Sequence, residues 1–242
     1  MKVVGLMLAS NNWGWVSGEE NGRSYMDMVT ACKETWIANR HPNVEVIATW
    51  GKTYQPYITE KIEEGEWILN LENDLLINTE EHRANLLIKT IKGMECALLK
   101  YPDLDYVFRP NCGSYIKTDL LYEFLQDRPR EKYYGGILGK HEDISFVSGA
   151  CILFSRDVVE LIVENQDKIN LDGWKTMDDV SLAQYLYSVG IEGTGDGHRV
   201  MASSEQQLKD SWDRHCYHYY FCHTINPELI RKTHLLFRGS AK

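Results

Sequence analysis

The first half of the chain alternates between short apolar runs and longer amphipathic stretches. Residues 3–9 form a continuous apolar run followed by Ser-Asn-Asn, which is typical of a buried strand that ends in a loop. Apolar side chains recur at helical spacing over residues 24–39, and a second apolar run covers residues 44–50 after a His-Pro-Asn breaker. A strand, a helix and a strand in this order predict a βαβ unit and a parallel sheet.

The rest of the chain continues this alternation. We predict strands over 65–71 and 105–110, a strand and turn over 144–154, a strand over 215–223, and helices over 79–100, 118–126, 155–165 and 178–189. Thr79 and Thr118 are the candidate N-caps of two of these helices. No repeat, low-complexity tract or linker interrupts the pattern. The sequence therefore predicts one α/β domain over residues 1–242, with an open, mostly parallel central sheet flanked by helices.

Composition narrows the class of protein. Hydrophobic residues make up 43% and charged residues 25%, as in an ordinary globular protein. The net charge is −9 and no basic stripe is visible, so we expect no nucleic-acid partner. None of the six cysteines forms a C-x-x-C pair, which favours reduced core residues. No segment is long and apolar enough for a transmembrane span or a signal peptide, and we expect a cytoplasmic protein.

Three segments carry a family resemblance. They read ACKETWIANRHPNVEVIATWG, YPDLDYVFRPNCGSYI, and FVSGACILFSRDVVELI followed by DDVSLAQYLYSVGI. Together they resemble the β-1,3-galactosyltransferase and Fringe group of glycosyltransferases, as short motifs scattered over roughly residues 1–225. The resemblance implies the GT-A fold, a UDP-sugar donor, a glycan or other hydroxyl acceptor, and inversion at the anomeric carbon. It also implies a nucleotide-binding half over 1–110 and an acceptor-binding half over 111–242.

The sequence departs from the family at its metal-binding motif. The family ends its mid-chain strand in Asp-x-Asp, whereas the matching residues 109–115 read RPNCGSY and contain no carboxylate. A neutral site cannot hold Mn²⁺ or Mg²⁺ as a carboxylate pair does. Three alternatives stay open: cations and backbone amides hold the diphosphate, a metal binds elsewhere, or donor binding has been lost. Asn111 and Ser114 still offer oxygens to a metal or a ribose.

An acidic pair, Asp178-Asp179, begins the last predicted helix. Inverting transfer needs a base beside the acceptor hydroxyl, and the family keeps its base at this point of the chain. The resemblance therefore implies that Asp179 is the base and that Asp178 orients it or binds the acceptor. Aspartates at a helix start are also common N-caps, so one of the pair could serve that purpose.

The remaining candidate contacts divide between donor and acceptor. Polar groups expected at the donor lie after the first strand, on the first helix and after the mid-chain strand: Ser10, Asn11, Arg23, Lys33, Arg109, Asn111 and Ser114. Acceptor contacts are expected from a small-residue turn and an aromatic ring: Ser148, Gly149, Ala150 and Trp174. Strand crossings and core packing are the structural alternatives. Three predicted loops, 12–23, 127–145 and 192–210, would shape acceptor choice.

The C-terminal region is rich in possible metal ligands: His215, His218, Cys222, His223 and His234. Their spacing matches no closed zinc module, and the resemblance points to His223 as the family's C-terminal metal ligand. Two alternatives to an active glycosyltransferase follow. One is a non-catalytic module that binds a nucleotide or a sugar, and the other is a metal-dependent enzyme built on these histidines.

Overall fold

A computed structural model describes residues 1–10, 25–52, 54–55, 58, 61–80, 85–169, 177–196 and 201–240. The strands are β1 (Val3–Leu8), β2 (Val44–Trp50), β3 (Trp67–Leu69), β4 (Asp74–Ile77), β5 (Tyr106–Pro110), β6 (Ser114–Ile116), β7 (Tyr134–His141), β8 (Ile144–Ser155), β9 (Thr194–Gly195) and β10 (Tyr220–His223). The helices are α1 (Tyr25–Cys32), α2 (Leu86–Lys100), α3 (Thr118–Gln126), α4 (Arg156–Glu164), α5 (Asp178–Ser188), α6 (Glu205–His215) and α7 (Pro227–Ser240). A π-helical turn, Lys33–Ile37, extends α1, and a 3₁₀ turn, Gln166–Lys168, follows α4.

Eight of these strands form one sheet in the order β3-β4-β2-β1-β5-β8-β7-β9. Strands β4, β2, β1 and β5 run parallel to one another. Strand β8 is antiparallel to both β5 and β7, so β7 and its parallel neighbour β9 share the direction of β5. The predicted α/β fold with a mostly parallel central sheet is confirmed. The remaining strands, β6 and β10, form a small antiparallel sheet.

Strand β1 is buried on both faces, which explains why its sequence is continuously apolar. Val3 and Met7 belong to the core shared with α1, α3, α7 and the small sheet. Val4 and Leu6 belong to a second core with α2, α4 and α5. Because successive side chains of a strand point to opposite faces, the two cores lie on opposite sides of the sheet. The domain therefore has three layers, with β1 at the centre of the middle one.

The structure corrects several predicted elements. The C-terminal strand covers only Tyr220–His223, because α6 continues to His215. Thr118 is the first residue of α3 and not its cap, and its hydroxyl accepts from the His41 backbone N–H at 2.9 Å. Strand β7 lies within the predicted loop 127–145, where three glycines hide the strand pattern, and helices α6 and α7 were not predicted.

Two compositional predictions can be compared with the structure. All six cysteines are free, and five of them are buried, as expected for reduced core residues. Burial raises the pKa of Cys151 and of Cys222 to about 12, so both thiols stay protonated at neutral pH. Within the described part of the chain, no helix has the length and apolar character needed to cross a membrane.

Candidate active site

The sheet has its topological switch point between β1 and β5. From β1 the chain moves outward to β2 and β4, and it then returns to place β5 on the other side of β1. Leu8 at the end of β1 forms a parallel bridge with Asn111, which directly follows β5. Ligands of open α/β sheets bind at the carboxyl ends of the strands beside such a switch point. This edge is therefore where we place the candidate active site.

Arg109, near the end of β5, is the central cation of this edge. Its side chain is almost completely buried, with 1% of its surface exposed. Its Nη2 lies 2.5 Å from Asp178 Oδ2, and its Nε lies 3.5 Å from Thr90 Oγ1. Its Nη1 donates to Asn111 Oδ1 at 2.9 Å and also to the Gly149 carbonyl. The guanidinium thus binds four elements of the protein itself, and the predicted contact between Arg109 and a donor phosphate stays a prediction.

The small residues of β8 make room for this guanidinium. The predicted turn at Ser148, Gly149 and Ala150 is wrong, because β8 runs continuously through them. The register with β7 shifts there, so that Gly136 faces Ile152 whereas Leu138 faces Val147. A Cβ atom at Gly149 would lie 2.6 Å from Arg109 Nη1, which is too close for any larger residue. Gly149 therefore leaves the space that the Arg109 guanidinium occupies. The predicted contact of Gly149 with an acceptor stays a prediction.

Asp179 is held in a fixed orientation by two backbone N–H groups. Gly149 donates to its Oδ2 at 2.8 Å, and Val180 donates to its Oδ1 at 3.0 Å. The side chain is half-buried, so it is accessible from solvent. Burial raises the pKa of the Asp179 carboxyl, and the charge of Asp178 raises it further, against the opposing effect of Arg109 and the two N–H donors. A fixed, accessible carboxylate with a raised pKa is suited to accept a proton.

Asp178 does not cap α5. The N-cap residue is Met177, and no side chain caps the helix. The Asp178 carboxylate instead turns toward the sheet, where its Oδ2 accepts from Arg109 and from the Thr90 hydroxyl at 3.1 Å. These contacts exclude capping, and the predicted role of Asp178 as orienter or acceptor ligand stays a prediction. The adjacent aspartates thus have different surroundings, one buried against a cation and one partly open.

Two residues of α2 that the sequence did not single out also belong to this edge. Thr90 is fully buried and contacts both Arg109 and Asp178. Lys89 is fully buried as well, and its Nζ donates to the Ala9 carbonyl at the end of β1, at 2.5 Å. One signal could have revealed Thr90, since it is a polar residue within the apolar stripe formed by Leu87 and Met94.

The predicted donor residues are only partly brought together. Ser10 is buried at the end of β1, beside the switch point. Ser114 is buried too, and its hydroxyl donates to the Ala150 carbonyl at 2.8 Å. Lys33 lies at the neighbouring edge of β2, where its Nζ is 2.7 Å and 2.9 Å from the two carboxylate oxygens of Asp74. The predictions for Asn11, Arg23 and Trp174 lie outside the described residues.

Asp74 is the anchor of a second polar cluster, which lies near the end of β2. Its carboxylate is fully buried and accepts from Trp50 Nε1 at 2.9 Å as well as from Lys33. The Trp50 ring stacks on Tyr54 with centroids 3.8 Å apart. Lys33 is therefore paired with the Asp74 carboxylate. To bind a donor diphosphate as predicted, its ammonium group would have to contact the diphosphate and Asp74 together.

The predicted metal ligand His223 lies in β10 opposite Ser114, and its ring faces Gly113. His234 lies elsewhere, on α7, with its Nδ1 2.8 Å from the Tyr115 hydroxyl. Over the described ranges, no group of three or more His, Cys, Asp or Glu side chains is arranged to hold a metal ion. At the end of β5, Asn111 Oδ1 accepts from Arg109, and the same guanidinium binds Asp178. The Arg109 cation therefore occupies the position beside the Asp178 carboxylate. The described residues do not fit a carboxylate-bound metal there.

Comparison with known proteins agrees with this architecture. No protein-family model matches the sequence, and no curated protein matches it. A similar solved structure is that of a glycosyltransferase involved in the glycosylation of the major capsid of PBCV-1; it is 12% identical over 92% of this chain and 93% of that chain, with a TM-score of 0.52. Another is 4-diphosphocytidyl-2C-methyl-D-erythritol synthase from Anaerococcus prevotii DSM 20548, 12% identical over 98% and 96%, with a TM-score of 0.49. The chain therefore has the fold of a known glycosyltransferase.

Proposed function

We propose that this protein is a glycosyltransferase that moves a sugar from a nucleotide-sugar, in the first instance a UDP-sugar, to a hydroxyl group of a glycan or another acceptor. The observation that carries the proposal is the Asp179 carboxylate, which two backbone N–H groups hold beside the switch point of the sheet. The shared fold with a glycosyltransferase supports the choice of reaction class.

The proposed reaction is a single displacement with inversion. The acceptor oxygen forms a bond to the anomeric carbon as the bond from that carbon to the nucleotide diphosphate breaks, and the acceptor proton moves to Asp179. Because an oxocarbenium-like centre is attacked only as the hydroxyl loses its proton, the base must point at the acceptor oxygen. The Gly149 and Val180 N–H groups fix that direction, and the raised pKa of Asp179 brings its basicity closer to that of a neutral-pH base.

The leaving diphosphate needs positive charge, which in this proposal comes from the protein. Lys89 is a buried cation that donates to the Ala9 carbonyl at the end of β1, whereas the charge of Arg109 is offset by Asp178. In a medium of low dielectric the field of the Lys89 ammonium extends further than it would in water, so it favours an anion at this edge without a bound metal. This proposal differs from the pattern of the β-1,3-galactosyltransferase and Fringe group, in which the Asp-x-Asp carboxylates bind a divalent metal ion.

The test is a donor panel assayed with and without Asp179. UDP-, GDP-, CMP- and dTDP-sugars are incubated with the protein, and free sugar is measured with water as the surrogate acceptor. We expect sugar release from one nucleotide class, reduced about a hundred- to ten-thousandfold in Asp179→Asn. The matched control is Asp167→Asn, because Asp167 is an exposed aspartate on the 3₁₀ turn after α4.

Three outcomes would contradict the proposal in different ways. Full activity of Asp179→Asn would show that the base lies elsewhere. Pyrophosphate release from a nucleoside triphosphate and a sugar phosphate would indicate a nucleotidyltransferase. Binding of a nucleotide, seen as thermal stabilisation, with no turnover of any donor would indicate the non-catalytic module.

A further inference from the structure

Arg109 contacts Asp178 of the acidic pair directly, and it is linked to Asp179 through the backbone of one residue, Gly149. Its Nη2 binds the Asp178 carboxylate at 2.5 Å, and its Nη1 binds the Gly149 carbonyl. The N–H of that same residue, Gly149, donates to Asp179 at 2.8 Å. The backbone of Gly149 therefore links the guanidinium to the candidate base, over a path in which every contact is a hydrogen bond.

We propose that Arg109 is a positioning residue for Asp179: its guanidinium binds the Asp178 carboxylate and fixes the Gly149 backbone that orients the Asp179 carboxylate. This inference rests on the proposed function, in which Asp179 is the base. Arg109 does not touch the reacting atoms in this proposal, since its side chain is buried and its N–H groups are directed at protein acceptors.

The division of the two carboxylates has a physical cause. Two carboxylates at adjacent positions would otherwise share one proton, because like charges in a buried site cannot both ionise easily. Arg109 and the Thr90 hydroxyl contact Asp178 directly, whereas Arg109 acts on Asp179 through the Gly149 backbone and through its charge. Burial and the charge of Asp178 raise the pKa of Asp179, which is the half-buried member of the pair and the one open to an acceptor.

Three other side chains near the acidic pair, Tyr134, Thr90 and Lys89, have described contacts that differ from those of Arg109. Tyr134 on β7 is close to both aspartates, but burial raises the pKa of its hydroxyl, and the two negative charges raise it further, so it remains neutral. From α2, Thr90 contributes an uncharged hydroxyl, and the Lys89 ammonium donates to the Ala9 carbonyl at the end of β1. Among the described contacts, the Arg109 guanidinium is the cation bound directly to Asp178.

The experiment is a double-mutant cycle of Arg109→Gln and Asp178→Asn in which the pKa of Asp179 is measured. Carboxyl-¹³C NMR of aspartate-labelled protein follows the titration of Asp179, whose signal is assigned by its loss in Asp179→Asn. We expect Arg109→Gln to raise the pKa of Asp179 by about one unit or more, and Asp178→Asn to lower it by a similar amount. The double variant should titrate between the two single variants, and the acid limb of kcat should move with each of them.

A second variant separates charge from geometry and remains informative if a single variant does not fold. Arg109→Lys keeps the positive charge but lacks the planar fork that reaches Asp178 and Gly149 together. We expect it to lower kcat about ten- to a hundredfold, with the donor KM within about threefold and the pKa of Asp179 within about half a unit of wild type. Since Arg109→Gln/Asp178→Asn removes both buried charges together, it should also fold more stably than either single variant.

The results distinguish this inference from the proposed function. An unchanged Asp179 titration throughout the cycle, or wild-type kcat in Arg109→Lys, would overturn the positioning role even if Asp179→Asn is inactive. Conversely, an active Asp179→Asn would remove the base from the proposed function, whereas the NMR titration would still report whether Arg109 controls this carboxyl.

Discussion

Asp178 and Arg109 form an ion pair between the first residue of α5 and the end of β5, with Nη2 2.5 Å from Oδ2 and side chains that are 5% and 1% exposed. The family resemblance implied that Asp178 orients the base or binds the acceptor, with a helix cap as the structural alternative. The ion pair instead joins helix α5 to strand β5 of the central sheet, beside the switch point.

The ion pair makes a prediction about stability. Asp178→Asn leaves the Arg109 cation buried without its counterion, so we expect the free energy of unfolding to fall by about 3–5 kcal/mol. Loss of a helix cap would cost only about 1 kcal/mol. Urea unfolding of Asp178→Asn beside the exposed-site control Asp167→Asn measures the difference, and a loss of about 1 kcal/mol or less would show that the pair is not needed for the fold.

The raised pKa of Asp179 predicts an acid limb in the rate profile. A base must be ionised, so kcat should fall as the pH drops through the pKa of Asp179, at a value above the ordinary aspartate pKa of about 3.9. The sign for stability is the opposite. Between the unfolded and the raised folded pKa the native state binds the extra proton, so this group stabilises the fold at low pH, and that contribution is lost as the pH rises through the folded pKa.

Two measurements check this pH prediction. The kcat of the wild type is followed from pH 4 to pH 8 on the donor found active in the panel, and the pH dependence of unfolding is compared between wild type and Asp179→Asn. A rate profile that is flat across this range, or unfolding curves that share the same pH dependence in both proteins, would contradict a titrating base at this position.

The fold was largely predictable from the sequence because its signals are local. Continuous apolar runs such as Val3–Leu8 indicate burial on both faces of a parallel sheet, and the alternation of strands and helices indicates how the strands are connected. Gly135, Gly136 and Gly139 conceal β7, because the strand is specified there by close packing against aromatic rings and backbone and not by an apolar pattern. Helix α7 was missed although Leu229, Ile230 and Phe237 recur at helical spacing on the face that packs on the core.

The site was predictable only in part, because its contacts join residues that are distant in the chain. Asp178 and Asp179 were identifiable from their type and position, but nothing local shows that Asp178 faces Arg109, 69 residues earlier. Lys89 was missed because a charged residue within a helix usually faces solvent. Thr90 was missed although it lies within an apolar stripe of α2. The sequence predicted that Gly149 makes room for an acceptor. In the structure, the Arg109 side chain occupies the space beside Gly149.

Gly149 provides a test of that space. A methyl group at Gly149 would lie 2.6 Å from Arg109 Nη1 and 3.3 Å from Asp179 Oδ2, so Gly149→Ala must displace the guanidinium. We expect this variant to lose about 1–3 kcal/mol of stability and most of its turnover. Gly239→Ala is the matched control, because a Cβ there has no neighbour within 4 Å; within helix α7 it should be neutral or slightly stabilising. Equal behaviour of the two alanine variants would show that the close approach at Gly149 is not needed.

The last prediction concerns the role of metal in nucleotide binding. Of the described carboxylates near this edge, Asp178 is bound to Arg109 and Asp74 to Lys33, whereas Asp179 accepts from the Gly149 and Val180 N–H groups. A divalent ion would therefore have to displace one of the two cations to gain a second carboxylate ligand beside Asp179. We therefore expect UDP affinity, measured by calorimetry, to differ by less than about tenfold between Mn²⁺ and a chelator.

The same calorimetry can identify the charge that replaces the metal. Lys89→Met removes the buried ammonium beside the end of β1 and keeps the side-chain length, so it should weaken UDP binding by about tenfold or more, equally with Mn²⁺ and with the chelator. Lys92→Met is the matched control on the same helix, because Lys92 pairs with Glu95 and is more exposed; it should bind UDP as the wild type does. A loss of about a hundredfold on chelation would reveal a metal site, and equal affinities of the two methionine variants would exclude Lys89 as the compensating cation.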